Sequence, residues 1–477
     1  MEERLDSLNT KDRQELRNIR TLLWGTFVER TIFERWSQGF EFSDVEPSGL
    51  VQCQGGPCAV IAPVQAFLLK IFLMDTPGYS FHDLTADKCR TVLIQALCNI
   101  LMKCKDTKYR IVSLRKAEEG EEVREDETPA TSDEIDAARV NVGVTESPNS
   151  PPPVVVATEA TESSTECSSP PVPATWDPDQ FHERLAIHDM DTIDEVNKFY
   201  LENLNLVTEQ YGVLLFLYSV LVTKGIENVV QELNDTSEPL IHGTYGYGSQ
   251  SLINLMLTGR AVAHVWDNDE DVGGLKLRGI NQQSDIGFIT TMEQMRYCTV
   301  GSFYKNPKNP VWVMASETHL SVLFSTEKRL VSPETPSEIA RRVFKSYDPE
   351  GNNFIPSVVL QDVLCTLDLV SDKEYVDIMR SKLDPENLGI ILLNAFMDEF
   401  FPQEKRSMPD TFVLWHYNGI PGSNYGNKVK YSRGMAILLE SDLKLMCNIS
   451  NPMLMCLQTK WPNIEVNWED LRTPSLN

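Results

Sequence analysis

An α+β fold is predicted for this chain on three observations. Its first half reads mainly as amphipathic and apolar helices. Aromatic-rich strands follow from about residue 310 onward, and a Gly-Gly-Pro-Cys turn delivers one cysteine to a long apolar helix. That turn lies in Leu50-Val51-Gln52-Cys53-Gln54-Gly55-Gly56-Pro57-Cys58-Ala59, continued by VIAPVQAFLLKIFLM. Glycine permits tight turns, and proline suits a helix start, where its missing N–H would be unpaired anyway. A helix N-terminus carries partial positive charge and free N–H groups, which favour a thiolate over a thiol whose ordinary pKa is about 8.5. Gln52, six residues before Cys58, can fold its amide over a carbonyl under attack. Without such neighbours Cys58 would read as a buried structural cysteine. Cys53 competes, but it precedes the turn instead of following it onto the helix.

The length of 477 residues suggests about three domains, and 42% hydrophobic content supplies a sizeable core. A formal charge of −26 argues against nucleic acid and anionic membrane surfaces, which require clustered Lys and Arg. Ten cysteines without a CxxC pair point to reduced thiols and an intracellular setting, nucleus or cytoplasm. The charged MEERLDSLNTKDRQELRNIR has no signal-peptide core, and the longest apolar run, VLLFLYSVLV at 213–222, is half of the roughly twenty residues a membrane span needs. A soluble monomer is expected.

Along the chain, residues 11–24 form a helix with Leu16, Ile19, Leu22 and Leu23 on one stripe, and 87–104 form a second amphipathic helix. Residues 110–114 suggest a short strand. Composition changes at 118–166, where fourteen acidic residues meet two basic ones, and the Pro-rich runs SPPPVVV and SSPPVPAT stand at 150–156 and 168–175. Such a stretch cannot bury enough apolar area to offset its ordering entropy, so 117–175 is expected to be a disordered insertion between two parts of one domain, 1–116 and 176–332. Residues 192–205 and 208–232 read as helices. A Gly/Tyr loop at 243–248 leads into another, its Tyr245 and Tyr247 either lining a groove for an extended peptide or packing as a turn. PVWVMASETHLSVLF at 310–324 alternates as two strands, with His319 opening the second.

Residues 333–405 form a separate unit. Asp348-x-Glu350-x-Asn352 and Asp384-x-Glu386 are 36 residues apart, the spacing of paired EF-hands. A calcium loop requires Glu at its twelfth position, and here Val359 and Ala395 stand there. The expectation is an inserted helical EF-hand-like pair that kept its fold and lost its metal. From 406 to 477 strands return and are expected to complete the sheet of the main unit.

A cysteine nucleophile needs a base. Of seven histidines, His319 fits best, at the start of an apolar strand after a polar turn. His264 is placed on a helix near aromatic residues. His82, His182, His188, His242 and His416 sit in polar or loop contexts with nothing to pair them with a nucleophile. No zinc spacing and no phosphate loop occur, so no metal or cofactor is expected. Glu317 is too close in sequence to orient His319, and no residue is assigned that role.

Gln52-x-x-x-Gly56-Pro57-Cys58 with Thr318-His319 resembles the MINDY family of cysteine deubiquitinases. The likeness extends to the branch with an EF-hand-like insertion, through GGPCAVIAPVQAFLLK, YGVLLFLYSVLVTKGIEN, YGSQSLINLMLTG, PSEIARRVFKSYDPE and LQTKWPNIE. The resemblance implies a papain-like cysteine protease fold, with Cys58 as nucleophile, His319 as general base and acid, and Gln52 in the oxyanion hole. It also implies hydrolysis of isopeptide bonds in lysine-48-linked polyubiquitin and on ubiquitinated proteins. Two rival readings remain: a calcium-responsive EF-hand-type adaptor in which Cys58 is structural, and an acyl transferase using the same pair in reverse.

Overall fold

Helices that are apolar all round have no face to offer to water and must lie in the core, and two occur among the described residues. A computed structural model describes residues 10–75, 84–115, 176–332, 335–348, 351–402, 408–439 and 451–477. The expected disordered insertion falls outside them. Helices α1 (Thr10–Trp24) and α2 (Arg30–Trp36) precede a short ladder of β1 (Glu41–Phe42) with β2 (Leu50–Val51). The stripe expected of α1, Leu16, Ile19, Leu22 and Leu23, is buried. Helix α3 (Cys58–Asp75) starts where Pro57 places its carbonyl, which accepts the N–H groups of Val60 and Ile61, both at 2.9 Å. Every side chain from Cys58 to Leu69 is buried. Each large one contributes roughly 1.5–3 kcal/mol by leaving water.

Helix α4 (Ala86–Cys104) is capped by Thr85, whose hydroxyl accepts the Lys88 N–H, and packs along α3. The strand expected at 110–114 is β3 (Tyr109–Leu114). Its antiparallel partner, β4 (Leu185–Met190), was not legible in the sequence. The second all-apolar helix, α5 (Gly212–Lys224), is buried from Gly212 to Thr223. The single helix expected at 208–232 is broken: Gly225 adopts φ +80°, and Ile226–Glu232 resumes at 84° to α5. Helix α6 (Gln250–Thr258) stops at Gly259, φ +76°, so His264 is not helical as expected and instead stacks on Trp266 at 3.9 Å. Among the described residues no single helix is long and apolar enough to cross a membrane.

The chain then builds β5 (Gly287–Thr290), β6 (Val311–Ala315) and β7 (Leu320–Phe324). The hairpin of β6 and β7 is the expected one, but its residues do not alternate between apolar and polar. Val311 and Val313 enter the main core while Trp312 and Met314 enter a second one, because both faces of the sheet are covered.

Between β7 and the next strand of the sheet lies a unit with its own core: α7 (Pro336–Ser346), β8 (Phe354–Pro356), α8 (Leu360–Thr366), α9 (Lys373–Leu383), β9 (Ile390–Leu392) and α10 (Leu393–Phe400). Its two helix–loop–helix halves meet through β8 and β9, with Ile355 opposite Ile391. The chain then returns through β10 (Thr411–Tyr417), β11 (Ser432–Leu438), α11 (Pro452–Gln458) and β12 (Ile464–Trp468), completing a six-stranded sheet ordered β12-β11-β10-β7-β6-β5. Only β5 and β6 are parallel.

The two loops of the inserted unit are organised by buried carboxylates. Asp348 accepts the N–H groups of Asn352 (2.9 Å) and Asn353 (2.7 Å), and Asp384 accepts those of Leu388 (2.8 Å) and Gly389 (2.7 Å). At the twelfth position, Val359 and Ala395 present no oxygen. The donor set does not fit a cation that takes six to eight oxygens and draws two of them from that position. The melting temperature of the full-length protein is therefore expected to be the same with and without millimolar calcium. A calcium-dependent rise of several degrees would show a site that these residues do not provide.

Candidate active site

The Cys58 loop is held from three sides. Gln38 donates its amide to the Val51 carbonyl (3.1 Å) and accepts the Cys53 N–H (3.0 Å), bracketing Gln52. Arg35 reaches from α2 to the carbonyls of Gly55 (3.2 Å) and Tyr245 (2.9 Å), while the Trp36 indole donates to Gly246 (2.9 Å). Gly56 has φ +130°, and a Cβ there would stand 3.0 Å from the Trp36 indole nitrogen, so only glycine fits. The Gly/Tyr loop is thus a packed turn beside the nucleophile loop. Tyr245 remains 60% exposed and stacks between His242 and Tyr247, with centroids 4.9 and 6.0 Å away.

The opposite wall is the shared end of β7 and β10, which pair through Trp415–Phe324, His416–Leu323 and Tyr417–Val322. His319 sits one residue before β7 and Asn418 one residue after β10. Their side chains meet, His319 Nε2 to Asn418 Oδ1, at 3.0 Å. The amide orientation follows from its other partners. Oδ1 also accepts the Ile420 N–H (3.0 Å), and Nδ2 donates to a backbone oxygen of Ser475 (3.1 Å) and one of Asn477 (3.5 Å). Since Asn418 offers His319 an acceptor, the imidazole must present Nε2–H, which leaves Nδ1 as its lone-pair nitrogen. Nδ1 is buried without a hydrogen-bond partner. Asn418 therefore fills the orienting place for which no residue was assigned from the sequence. The available signal was a strand, TFVLWHY, ending in Asn-Gly. His416, expected in a polar or loop context, is a buried strand residue bonded to Ser321 Oγ at 2.9 Å.

The two walls are joined directly. The Gln52 N–H donates to the Gly419 carbonyl at 2.8 Å, and the Tyr417 hydroxyl donates to the Leu50 carbonyl. Leu50 in turn donates its N–H to Gln65 on α3 at 2.8 Å. The Cys58 thiol donates to the Gly56 carbonyl at 3.7 Å, and α3, which it opens, packs against β7, the strand that His319 precedes. Gln52 and Cys58 thus lie on a loop and a helix packed against the strands next to His319 and Asn418, and Cys53 is exposed.

The electrostatics correct one expectation. The helix start was expected to favour a thiolate, yet burial pushes the Cys58 thiol up to about 11, with hydrogen bonds from Leu320 and its neighbours only partly opposing it. Burial likewise lowers His319 to about 4, against the opposing bond to Asn418. The Gln52 side chain is engaged as well, donating to the Gln54 carbonyl at 2.7 Å. The site as it stands is closed and neutral.

Residues 20–344 match the model of the deubiquitinating enzyme MINDY-3/4 conserved domain. The chain belongs to the MINDY family of deubiquitinating enzymes. A ubiquitin carboxyl-terminal hydrolase MINDY-3 homolog from Drosophila melanogaster is 60% identical over all of this chain and 85% of its own length. The MINDY-3 proteins of Danio rerio and Homo sapiens are 46% and 45% identical, over 96% and 97% of this chain and 98% and 99% of theirs. No solved structure matches it. The MINDY domain match spans the Cys58 loop and His319, while Asn418 lies beyond its end.

The neutral site of this MINDY protein has a measurable signature. With its pKa near 11, Cys58 would be ionised in about one part in 10⁴ at pH 7, roughly three-hundredfold less than an ordinary thiol. Alkylation of the free enzyme by iodoacetamide, mapped by peptide mass spectrometry, should accordingly be far slower at Cys58 than on free cysteine. Equal rates would show that the resting thiol is not buried as described.

Proposed function

We propose that the chain hydrolyses the isopeptide bond between the carboxyl terminus of ubiquitin and a lysine amine, through a thioester on Cys58. The observation that carries this reading is the His319–Asn418 hydrogen bond. It leaves the lone pair on Nδ1 of the residue just before β7, and β7 packs against α3, the helix that Cys58 opens. When substrate displaces the closed loop, His319 Nδ1 takes the Cys58 proton and the thiolate attacks the isopeptide carbonyl. Gln52 exchanges the Gln54 carbonyl for the developing oxyanion, assisted by the N–H groups at the start of α3. The imidazolium protonates the lysine nitrogen, which leaves as the free amine. Water, deprotonated by His319, then cleaves the thioester to a carboxylate and restores the thiol. Asn418 touches no substrate. It orients His319 and supports the imidazolium.

A helix-borne cysteine facing a sheet-borne histidine and asparagine supports a papain-like arrangement. The inserted unit, joined through Ile355 and Ile391, is read as an EF-hand-like pair that retains its scaffold and lacks its twelfth ligands. Lysine-48-linked polyubiquitin is the substrate that the family resemblance implies.

Cys58→Ala and His319→Ala should each abolish cleavage of lysine-48-linked chains while the protein remains folded and still binds them. Gln52→Ala should lower kcat by about 10² to 10³, the usual effect of removing one oxyanion donor. Product gels across chains of different linkage decide the substrate. Residual hydrolysis by Cys58→Ala above a few per cent of wild type would remove Cys58 from the mechanism, and equal rates on all linkages would remove the lysine-48 assignment.

A further inference from the structure

Asn418 makes four side-chain hydrogen bonds, and two of them run to a segment that forms no part of the sheet. After β12 the chain returns toward the site and makes a small turn. There Ser475 Oγ donates to a backbone oxygen of Asn477 (2.6 Å) and accepts the Asn477 N–H (3.1 Å). Leu476, between them, is only 4% exposed and sits in the second core with Trp312, Leu414 and Trp468. Anchored by that side chain, the turn presents a backbone oxygen of Ser475 and one of Asn477 to Asn418 Nδ2. On the β7 side of the same wall, Thr318 Oγ1, next to His319, donates to Asn477 Oδ1 at 3.4 Å. One three-residue stretch, 475–477, therefore touches both the residue beside the histidine and the residue that orients it.

An asparagine amide offers two ends of opposite hydrogen-bonding character on nearly the same shape, and a half-turn about its last bond exchanges them. A flip here would turn NH₂ toward His319, remove the acceptor for Nε2–H and favour the tautomer that carries its proton on Nδ1. The Ile420 N–H holds the oxygen end of the amide, and the backbone oxygens of Ser475 and Asn477 hold the nitrogen end.

We propose that residues 475–477, seated by Leu476, are a positioning element of the active site that locks the Asn418 amide and thereby the proton-accepting tautomer of His319. The inference rests on the assignment of His319 as the base. The segment contacts no substrate. Its contribution is to keep Nδ1 unprotonated before attack and to keep Nε2–H bonded once the imidazolium forms. Releasing the segment should reduce turnover without weakening binding. It should also destabilise the imidazolium of the ion pair that forms once substrate opens the site, so the pH at which kcat falls on the alkaline side should move down.

The test uses the full chain with Leu476→Asp, with residues 475–477 deleted, and with Leu476→Met as the conservative control. Steady-state cleavage of polyubiquitin is followed from pH 6 to 10, with melting temperature recorded for each variant. The expected result for the first two variants is a kcat about tenfold lower at unchanged KM, a fraction of the 10² to 10⁴ that a positioned base contributes. The alkaline limb should shift to lower pH in both, and Leu476→Met should match wild type. The proposal is overturned if kcat and the limb stay at wild-type values, or if activity falls only in proportion to the folded fraction with the limb unmoved. Cys58→Ala, assayed alongside, separates the two assignments. Activity there would refute the site itself, whereas an inactive Cys58→Ala beside unaffected Leu476 variants would refute only the positioning role.

Discussion

A backbone hydrogen bond from the Gln52 N–H to the Gly419 carbonyl, backed by the Tyr417 hydroxyl on the Leu50 carbonyl, decides whether this chain has a site at all. The cysteine belongs to a helix near the start of the sequence, and the histidine and asparagine belong to two strands far along it. Packing of α3 against β6 and β7 brings the halves within reach, but apolar packing is non-directional and tolerates small slides. The two polar contacts remove that freedom. They fix the loop preceding Cys58 against the turn following Asn418, and Gln65, itself buried in α3, fixes Leu50 to the helix that bears the cysteine. Fully satisfied buried polar groups specify one arrangement in this way, because each misplacement leaves a donor or acceptor unpaired at about 1–3 kcal/mol.

The closed state follows from magnitudes. A helix N-terminus stabilises a negative charge by typically 0.3–1 kcal/mol, whereas removing an ion from water costs several. With Cys58 and His319 both buried, the larger effect wins and both groups are neutral. The same geometry can support the ion pair only when the environment changes around it. The Gln52 side-chain amide donates to the Gln54 carbonyl within its own loop rather than to the core. Gly55 faces open space, so that loop has room to change shape at its outer edge.

Much of this was legible in the sequence, and the division has a physical basis. Cys58 and Gln52 were readable because their chemistry is local: a turn, a helix start and an amide a few residues away. His319 was readable from the polar turn and apolar strand around it. Asn418 was not, because its role exists only through register, where the pairing of Tyr417 with Val322 places it beside His319. Strand β4 was missed because it lacks a clean alternation, and the helix at 208–232 was drawn through Gly225 because periodicity does not report φ. The lowered thiol pKa was the natural reading of a helix start taken alone, and burial, a property of the whole fold, reversed it.

The helical unit at 335–402 interrupts the chain between β7 and β10, which are hydrogen-bonded neighbours and carry the two orienting partners at their shared end. The interruption enters and leaves at the opposite end of that strand pair, where Ser325 Oγ donates to the Val413 carbonyl at 2.6 Å. Closing a long connection instead of a short one costs only about 0.6 kcal/mol for each doubling of its length. The sheet therefore carries its guest cheaply and at a distance from the chemistry. The junction is in that sense a socket: a change within the unit it holds leaves the register of the strands next to His319 and Asn418 as it is.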